Sequence, residues 1–178
     1  LQQVFTATKY IDVLIPRGSA SLIAHVRQSS LVPTIETGAG VCHIFVEATA
    51  DIAKAVNIVV NAKVSRPTVC NAVDTVLVDR SIAKDFFDRL MPAFEQNGVK
   101  IFAERKASAL LKGYPFLQKA TAESFGHEYL SLQCSVKVVE GIEEALAHIR
   151  EHSTRHSEAI VSENKKLCNR FIQAVDAA

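Results

Sequence analysis

Val41-Cys42-His43-Ile44-Phe45-Val46, then Asp51 with the repeat Ile52, Ala55, Val56, Val59 and Val60 up to Lys63, then Thr75-Val76-Leu77-Val78, decide the fold class. The first stretch is apolar and β-branched on both faces and follows a glycine turn, Gly38-Ala39-Gly40, so it reads as a buried strand. Asp51 is a good N-cap, and the apolar repeat after it has helical spacing. A strand, a helix and a second strand make a parallel unit.

The same alternation runs outward in both directions. Downstream, Ser81 caps a helix through Gln96 that Asn97-Gly98 ends, and Val99 to Ala103 is a strand. Ala107 to Leu111 is a short helix, and Gly113 to Ser131 reads as loops. Ser135 to Val139 is a strand, Ile142 to Ile149 an amphipathic helix, Ala159 to Val161 a strand and Asn164 to Val175 a helix. Upstream, Ile11 to Ile15 is a short strand closed by Pro16-Arg17-Gly18, and Ser19 caps a helix to about Arg27. The expectation is an α/β fold with a largely parallel sheet and no internal repeat.

Composition narrows the function. The chain has 178 residues, 48% of them hydrophobic, which suits one domain or one domain with a piece of a second. Lys and Arg number 20 against 19 Asp and Glu, so a net charge of +1 gives no electrostatic case for nucleic acid or an anionic membrane. No apolar run approaches the roughly 20 residues that span a bilayer. The N-terminus shows no signal-peptide pattern and no initiator Met, which is expected of a start inside a longer protein or of a processed chain. Four scattered cysteines without zinc spacing suit reduced thiols in a cytoplasmic protein.

Four segments can carry chemistry. In Ser65-Arg66-Pro67-Thr68-Val69-Cys70-Asn71-Ala72, Cys70 sits before or within a short helical turn. Backbone N–H groups there favour a thiolate and a developing oxyanion, and Arg66 adds positive charge. A buried structural cysteine is the alternative, and spacing alone favours it. In Asp12-Val13-Leu14-Ile15-Pro16-Arg17-Gly18-Ser19, a strand enters a helix through a Gly/Ser turn, the layout that receives a phosphate, or an ordinary strand–helix turn. In Glu36-Thr37-Gly38-Ala39-Gly40-Val41-Cys42-His43, Glu36 is a base on a glycine loop, or an exposed residue at a bend. His148, His152 and His156 follow at spacings of four, but no carboxylate stands where a helical zinc site requires it. No metal is expected; His148 closes a helix, and the loop after it is polar enough to contact an anionic substrate.

These segments, in this order, resemble the gamma-glutamyl phosphate reductase family. The matches are Tyr10-Ile11-Asp12-Val13-Leu14-Ile15-Pro16-Arg17-Gly18, Thr37-Gly38-Ala39-Gly40-Val41-Cys42-His43, Val60-Asn61-Ala62-Lys63 with Arg66-Pro67-Thr68-Val69-Cys70-Asn71, and Ala147 through Ile160. That family is a branch of the aldehyde dehydrogenase superfamily. The resemblance implies a three-layer α/β/α catalytic domain over residues 49–178, preceded by a remnant of a Rossmann-like cofactor domain over residues 1–48. It implies NADPH-dependent reduction of L-glutamyl 5-phosphate to glutamate 5-semialdehyde, with release of phosphate, in proline biosynthesis.

Carried over residue by residue, the resemblance makes Cys70 the nucleophile that forms a thioester, with its own N–H in the oxyanion hole. Glu36 falls where the superfamily places its general base, although a reduction has less need of one. Glu128 falls where the superfamily contacts the nicotinamide ribose, and Gly18 and Ser19 where it sets a helix beside the cofactor pyrophosphate. Arg17, Arg66, Arg155 and Asn71 are candidates for the substrate's anionic groups. The family's flanking segments, which complete the cofactor site and form the oligomer arm, lie outside this sequence, so the chain alone is expected to turn over little. The parent is expected to be a homo-oligomer, whether or not fused to a kinase. The rival readings are a general aldehyde dehydrogenase domain, which resembles Gly-Gln-x-Cys rather than Arg66-Pro67-Thr68-Val69-Cys70, and a non-catalytic folded domain with an inert Cys70.

Overall fold

The computed structural model describes residues 2–18, 20–36 and 38–178, and of Ala20 only the backbone. The chain divides into two compact units, one ending at Ala39 and one running from Gly40 to Ala178.

In the first unit, helix α1 (Gln2–Phe5) and helix α2 (Ala20–Ser29) bring Phe5, Val26 and Val32 into burial. The N–H groups of Leu31 and Val32 both reach the carbonyl of Phe5. The expected strand from Ile11 to Ile15 is reduced to one parallel bridge, Leu14 to Thr34. A ladder needs partners along its length, and among the described residues of this unit only the stretch around Thr34 pairs with it. The expected cap, Ser19, lies outside the described residues.

The second unit is one six-stranded sheet, every pair parallel. Its strands are β1 (His43–Val46), β2 (Thr75–Asp79), β3 (Lys100–Ala103), β4 (Leu117–Lys119), β5 (Gln133–Val139) and β6 (Glu158–Val161), in the spatial order β4-β3-β5-β2-β1-β6. The helices are α3 (Ile52–Val64), α4 (Ala83–Gln96), α5 (Arg105–Leu110), α6 (Ile142–His152) and α7 (Lys165–Ala174). Period-two alternation sorts the strand side chains onto two faces. Ile44, Val46, Val76 and Val78 meet residues of α3 and α4, including Val59, Phe86 and Leu90. Phe45 and Leu77 meet Leu146 and Ile149 of α6 and Phe171 of α7. Helices therefore cover both faces, which is why residues 44–46 of β1 and 76–78 of β2 are unbroken apolar runs.

Asp51 caps α3 as expected, accepting the N–H of Lys54 at 3.0 Å. The two compact units divide after Ala39, and β1 lies inside the sheet between β2 and β6. Two expectations need correction. Ser81 does not cap α4: its hydroxyl and N–H both go to Asp79, and the helix starts at Ala83 without a side-chain cap. The stretch read as loops contains edge strand β4 and a 3₁₀ turn over Ala122–Gly126, both too short to show a period.

Candidate active site

The Cys70 turn is built by the segment that joins α3 to β2. Pro67 breaks the helical pattern, and two turns follow: Val69 N–H reaches the Arg66 carbonyl at 3.3 Å and Ala72 N–H the Val69 carbonyl at 3.1 Å. These turns leave Arg66, Cys70 and Asn71 exposed, so three of the predicted site residues share one loop. No helical turn contains Cys70 or follows it before β2, contrary to the expected placement.

Gly40 supports this loop. A Cβ on Gly40 would collide with the Cys70 carbonyl oxygen and stand 3.3 Å from the Cys70 Cβ. Glycine is needed here for close backbone approach. The N–H of Gly40 donates to Oε1 of Glu128 at 2.9 Å, so the predicted ribose ligand is tied to the strand-leading segment next to Cys70. Cys42 Sγ donates to the Cys70 carbonyl at 3.2 Å. Burial, reinforced by Asp74 and then Glu158, pushes the Cys42 thiol up to about 12, so it stays protonated and serves as a donor.

Around this centre the strand starts carry polar groups. Asp74 Oδ2 accepts the N–H of Cys42 at 3.3 Å, and its Oδ1 accepts the N–H of Tyr129 at 3.0 Å. Thr154 accepts the N–H of Val41 at 2.9 Å. Glu158 accepts both the N–H and the ring Nδ1 of His43 at 2.9 Å, with the Ser153 hydroxyl on its other oxygen.

The remaining predicted residues have surroundings of their own. Glu36 belongs to the first unit, where it makes a loose ion pair with the exposed Arg27 at 3.8 Å. Gly18, in the same unit, has φ +151°, and a Cβ there would meet Leu22 at 2.7 Å. Arg17 lines an apolar hollow of about 230 Å³ with Phe5, Leu14, Leu22 and Val26. Arg155 takes a left-handed backbone (φ 62°) and pairs with Asp176 at 3.0 Å, both side chains exposed.

The histidine segment is different from its expected role. Helix α6 continues to His152, so His148 lies inside it and is buried instead of closing it. Its ring packs among His43, Phe125 and His152 at centroid distances of 5.6, 5.1 and 4.4 Å. Burial, with help from Lys137, pulls its pKa down to about 3. Among the described residues no three His, Cys, Asp or Glu side chains gather as metal ligands would.

Sequence reasoning named Gly40, Cys42 and Lys63 only within motifs and passed over Asp74. One signal was present. Lys63 falls on the apolar stripe of α3 with Ile52, Val56 and Val59, a position where a charge needs a buried partner.

No family model matches the chain. It is 47% identical over its full length to gamma-glutamyl phosphate reductase of Desulfitobacterium hafniense, and 46% to that of Cronobacter sakazakii. The crystal structure of gamma-glutamyl phosphate reductase from Thermotoga maritima superposes with TM-score 0.91 at 38% identity over 99% of the chain. Along its whole length, the chain is homologous to gamma-glutamyl phosphate reductases. It spans 42% of the Desulfitobacterium reductase, 43% of the Cronobacter reductase and 42% of the Thermotoga structure. A propionaldehyde dehydrogenase from Clostridium phytofermentans, 18% identical with TM-score 0.74 over 99% of the chain, has the same fold. The α/β architecture is thus that of the reductases and of aldehyde dehydrogenases alike. No helix among the described residues is long and apolar enough to cross a membrane.

Proposed function

We propose that this chain carries the thiol half of a gamma-glutamyl phosphate reductase and that Cys70 is its nucleophile. The observation that carries the reading is the Cys70 turn: an exposed thiol on a loop held against Gly40 and Cys42, in a chain 47% identical to a reductase of that name.

The reaction follows from the thiol. Cys70 loses its proton to solvent, and its Sγ attacks the acyl carbon of L-glutamyl 5-phosphate. The carbon–sulfur bond forms as the carbon–oxygen bond to phosphate breaks, and phosphate leaves with the electron pair. A hydride reaching the thioester carbon gives a thiohemiacetal oxyanion, whose collapse breaks the carbon–sulfur bond and frees the aldehyde, glutamate 5-semialdehyde, and the thiolate. Main-chain N–H groups of the turn, that of Cys70 included, stabilise the oxygen charge. Arg66 and Asn71, exposed on the same loop, are the residues proposed to meet the substrate's charged groups. Arg155 and Arg17 are proposed as further anion contacts. Glu36, at the superfamily's general-base position, is less needed in a reduction.

NADP(H) supplies the hydride in this reading. The first unit suits its phosphates: Gly18 forms a turn that a side chain would obstruct, and the first turn of α2 carries no acidic residue to repel an anion. Glu128 is a carboxylate suited to a ribose hydroxyl. Residues 1–39, with this turn, are read as the remnant of the cofactor domain, and the whole enzyme as a cytoplasmic homo-oligomer.

The test is iodoacetamide labelling, thiol by thiol, in the folded chain and in urea. An activated Cys70 reacts about ten-fold or more faster folded than unfolded. A Cys70 that reacts no faster folded than unfolded refutes the assignment.

A further inference from the structure

Asp74 and Lys63 are charges buried in the segments that frame the Cys70 turn, with side chains 2% and 0% exposed. Lys63 ends the buried stripe of α3, seven residues before Cys70; Asp74 stands just before β2, four residues after it. Lys63 Nζ is 3.8 Å from Asp74 Oδ1 and donates to the Ser131 carbonyl at 3.3 Å. The two Asp74 oxygens take up the N–H groups of Cys42 and Tyr129. Cys42 in turn holds the Cys70 carbonyl, and Glu128, next to Tyr129, holds Gly40 against Cys70. Two charges thus tie four segments together: the end of α3, the entry to β1, the entry to β2 and the loop at residues 128–131.

Burying such a pair costs more desolvation than its attraction returns in most proteins, so well-packed apolar residues would serve stability as well. Geometry is what apolar residues would not supply. The bond to Cys42 fixes a residue that holds the Cys70 carbonyl, and the bond to Tyr129 fixes the neighbour of Glu128, which holds Gly40.

We infer that the Lys63–Asp74 pair is a positioning device for Cys70, an inference that rests on Cys70 being the reacting thiol. The pair does not touch substrate; it acts through Cys42, Gly40 and Glu128.

The test uses the same iodoacetamide labelling on Asp74→Asn, on Asp74→Glu, and on the double variant Asp74→Asn with Lys63→Met, which removes both charges should the single change fail to fold. Cys134, fully buried in the core, reports global unfolding. The expected result is that Cys134 stays protected while Cys42 labels about ten- to hundred-fold faster, the loss expected of a hydrogen bond to a charged group. Cys70 then loses its excess of folded over unfolded rate, and Asp74→Glu restores part of it. The inference is overturned if Cys42 stays as slow as in the unaltered chain, if the Cys70 excess survives, or if Cys134 and Cys42 open together in both Asp74→Asn and the double variant. An unaltered chain with no Cys70 excess sinks the functional reading. A surviving excess in Asp74→Asn sinks only the positioning role.

Discussion

Gly40 packs so closely under the main-chain carbonyl of Cys70 that the glycine has no room for a side chain. The thiol-bearing loop and the strand-leading segment therefore share one fixed spacing, and Gly40 sets it. Gly40→Ala is expected to destabilise the chain by about 1–3 kcal/mol, the range for overpacking. The urea midpoint measures this, and Cys70 labelling should change in the same variant. A midpoint unmoved within about 0.5 kcal/mol would show that the loop can shift freely.

Glu128 holds the other side of Gly40. Glu128→Ala leaves the buried Gly40 N–H without its acceptor and is expected to cost about 1–3 kcal/mol. Glu128→Gln keeps an oxygen in place and should lose less than half as much. Equal losses in the two variants would mean that the carboxylate charge, and not the hydrogen bond, matters.

Acid should loosen the fold through α6. His148 has a pKa near 3 when folded, against about 6.5 when unfolded, so below pH 6.5 the unfolded chain takes up the proton first. Stability is complete above pH 6.5 and falls as pH drops towards 3, by up to about 1.4 kcal/mol per pH unit. Burial also lowers His152, which adds to the same window. His148→Phe keeps an aromatic ring against Phe125 and should shrink the loss between pH 7 and pH 5 in urea titrations. An unchanged loss would place the acid sensitivity elsewhere.

Tyr114 anchors the turn before β4. Its buried hydroxyl donates to the Val99 carbonyl at 2.6 Å, where the chain enters β3. Tyr114→Phe should cost about 1 kcal/mol in thermal or urea unfolding, and leave Cys70 labelling untouched. A change in Cys70 labelling would contradict the separation of this edge from the thiol loop.

Most of the sheet was legible in the sequence because its strands are buried on both faces. Phe45 and Leu77 are apolar for α6 and α7, while Ile44 and Val76 are apolar for α3 and α4, so short unbroken apolar runs marked both strands. Edge strand β4 and the 3₁₀ turn left no such mark. Cys70 stood out through its Pro-containing loop and through the order of the motifs.

The sequence by itself determined the alternation of strands and helices, the Asp51 cap and the Pro-containing loop around Cys70, because those follow from local periodicity and turn chemistry, and the order of its motifs carried the family resemblance. Only the tertiary structure decided that Gly40 and Glu128, 88 positions apart, meet at Cys70, that Asp74 and Lys63 tie the surrounding segments together, and that His148 is a core residue. Those relations depend on which strands neighbour one another in the sheet, and hydrophobic spacing along one chain carries no record of that order.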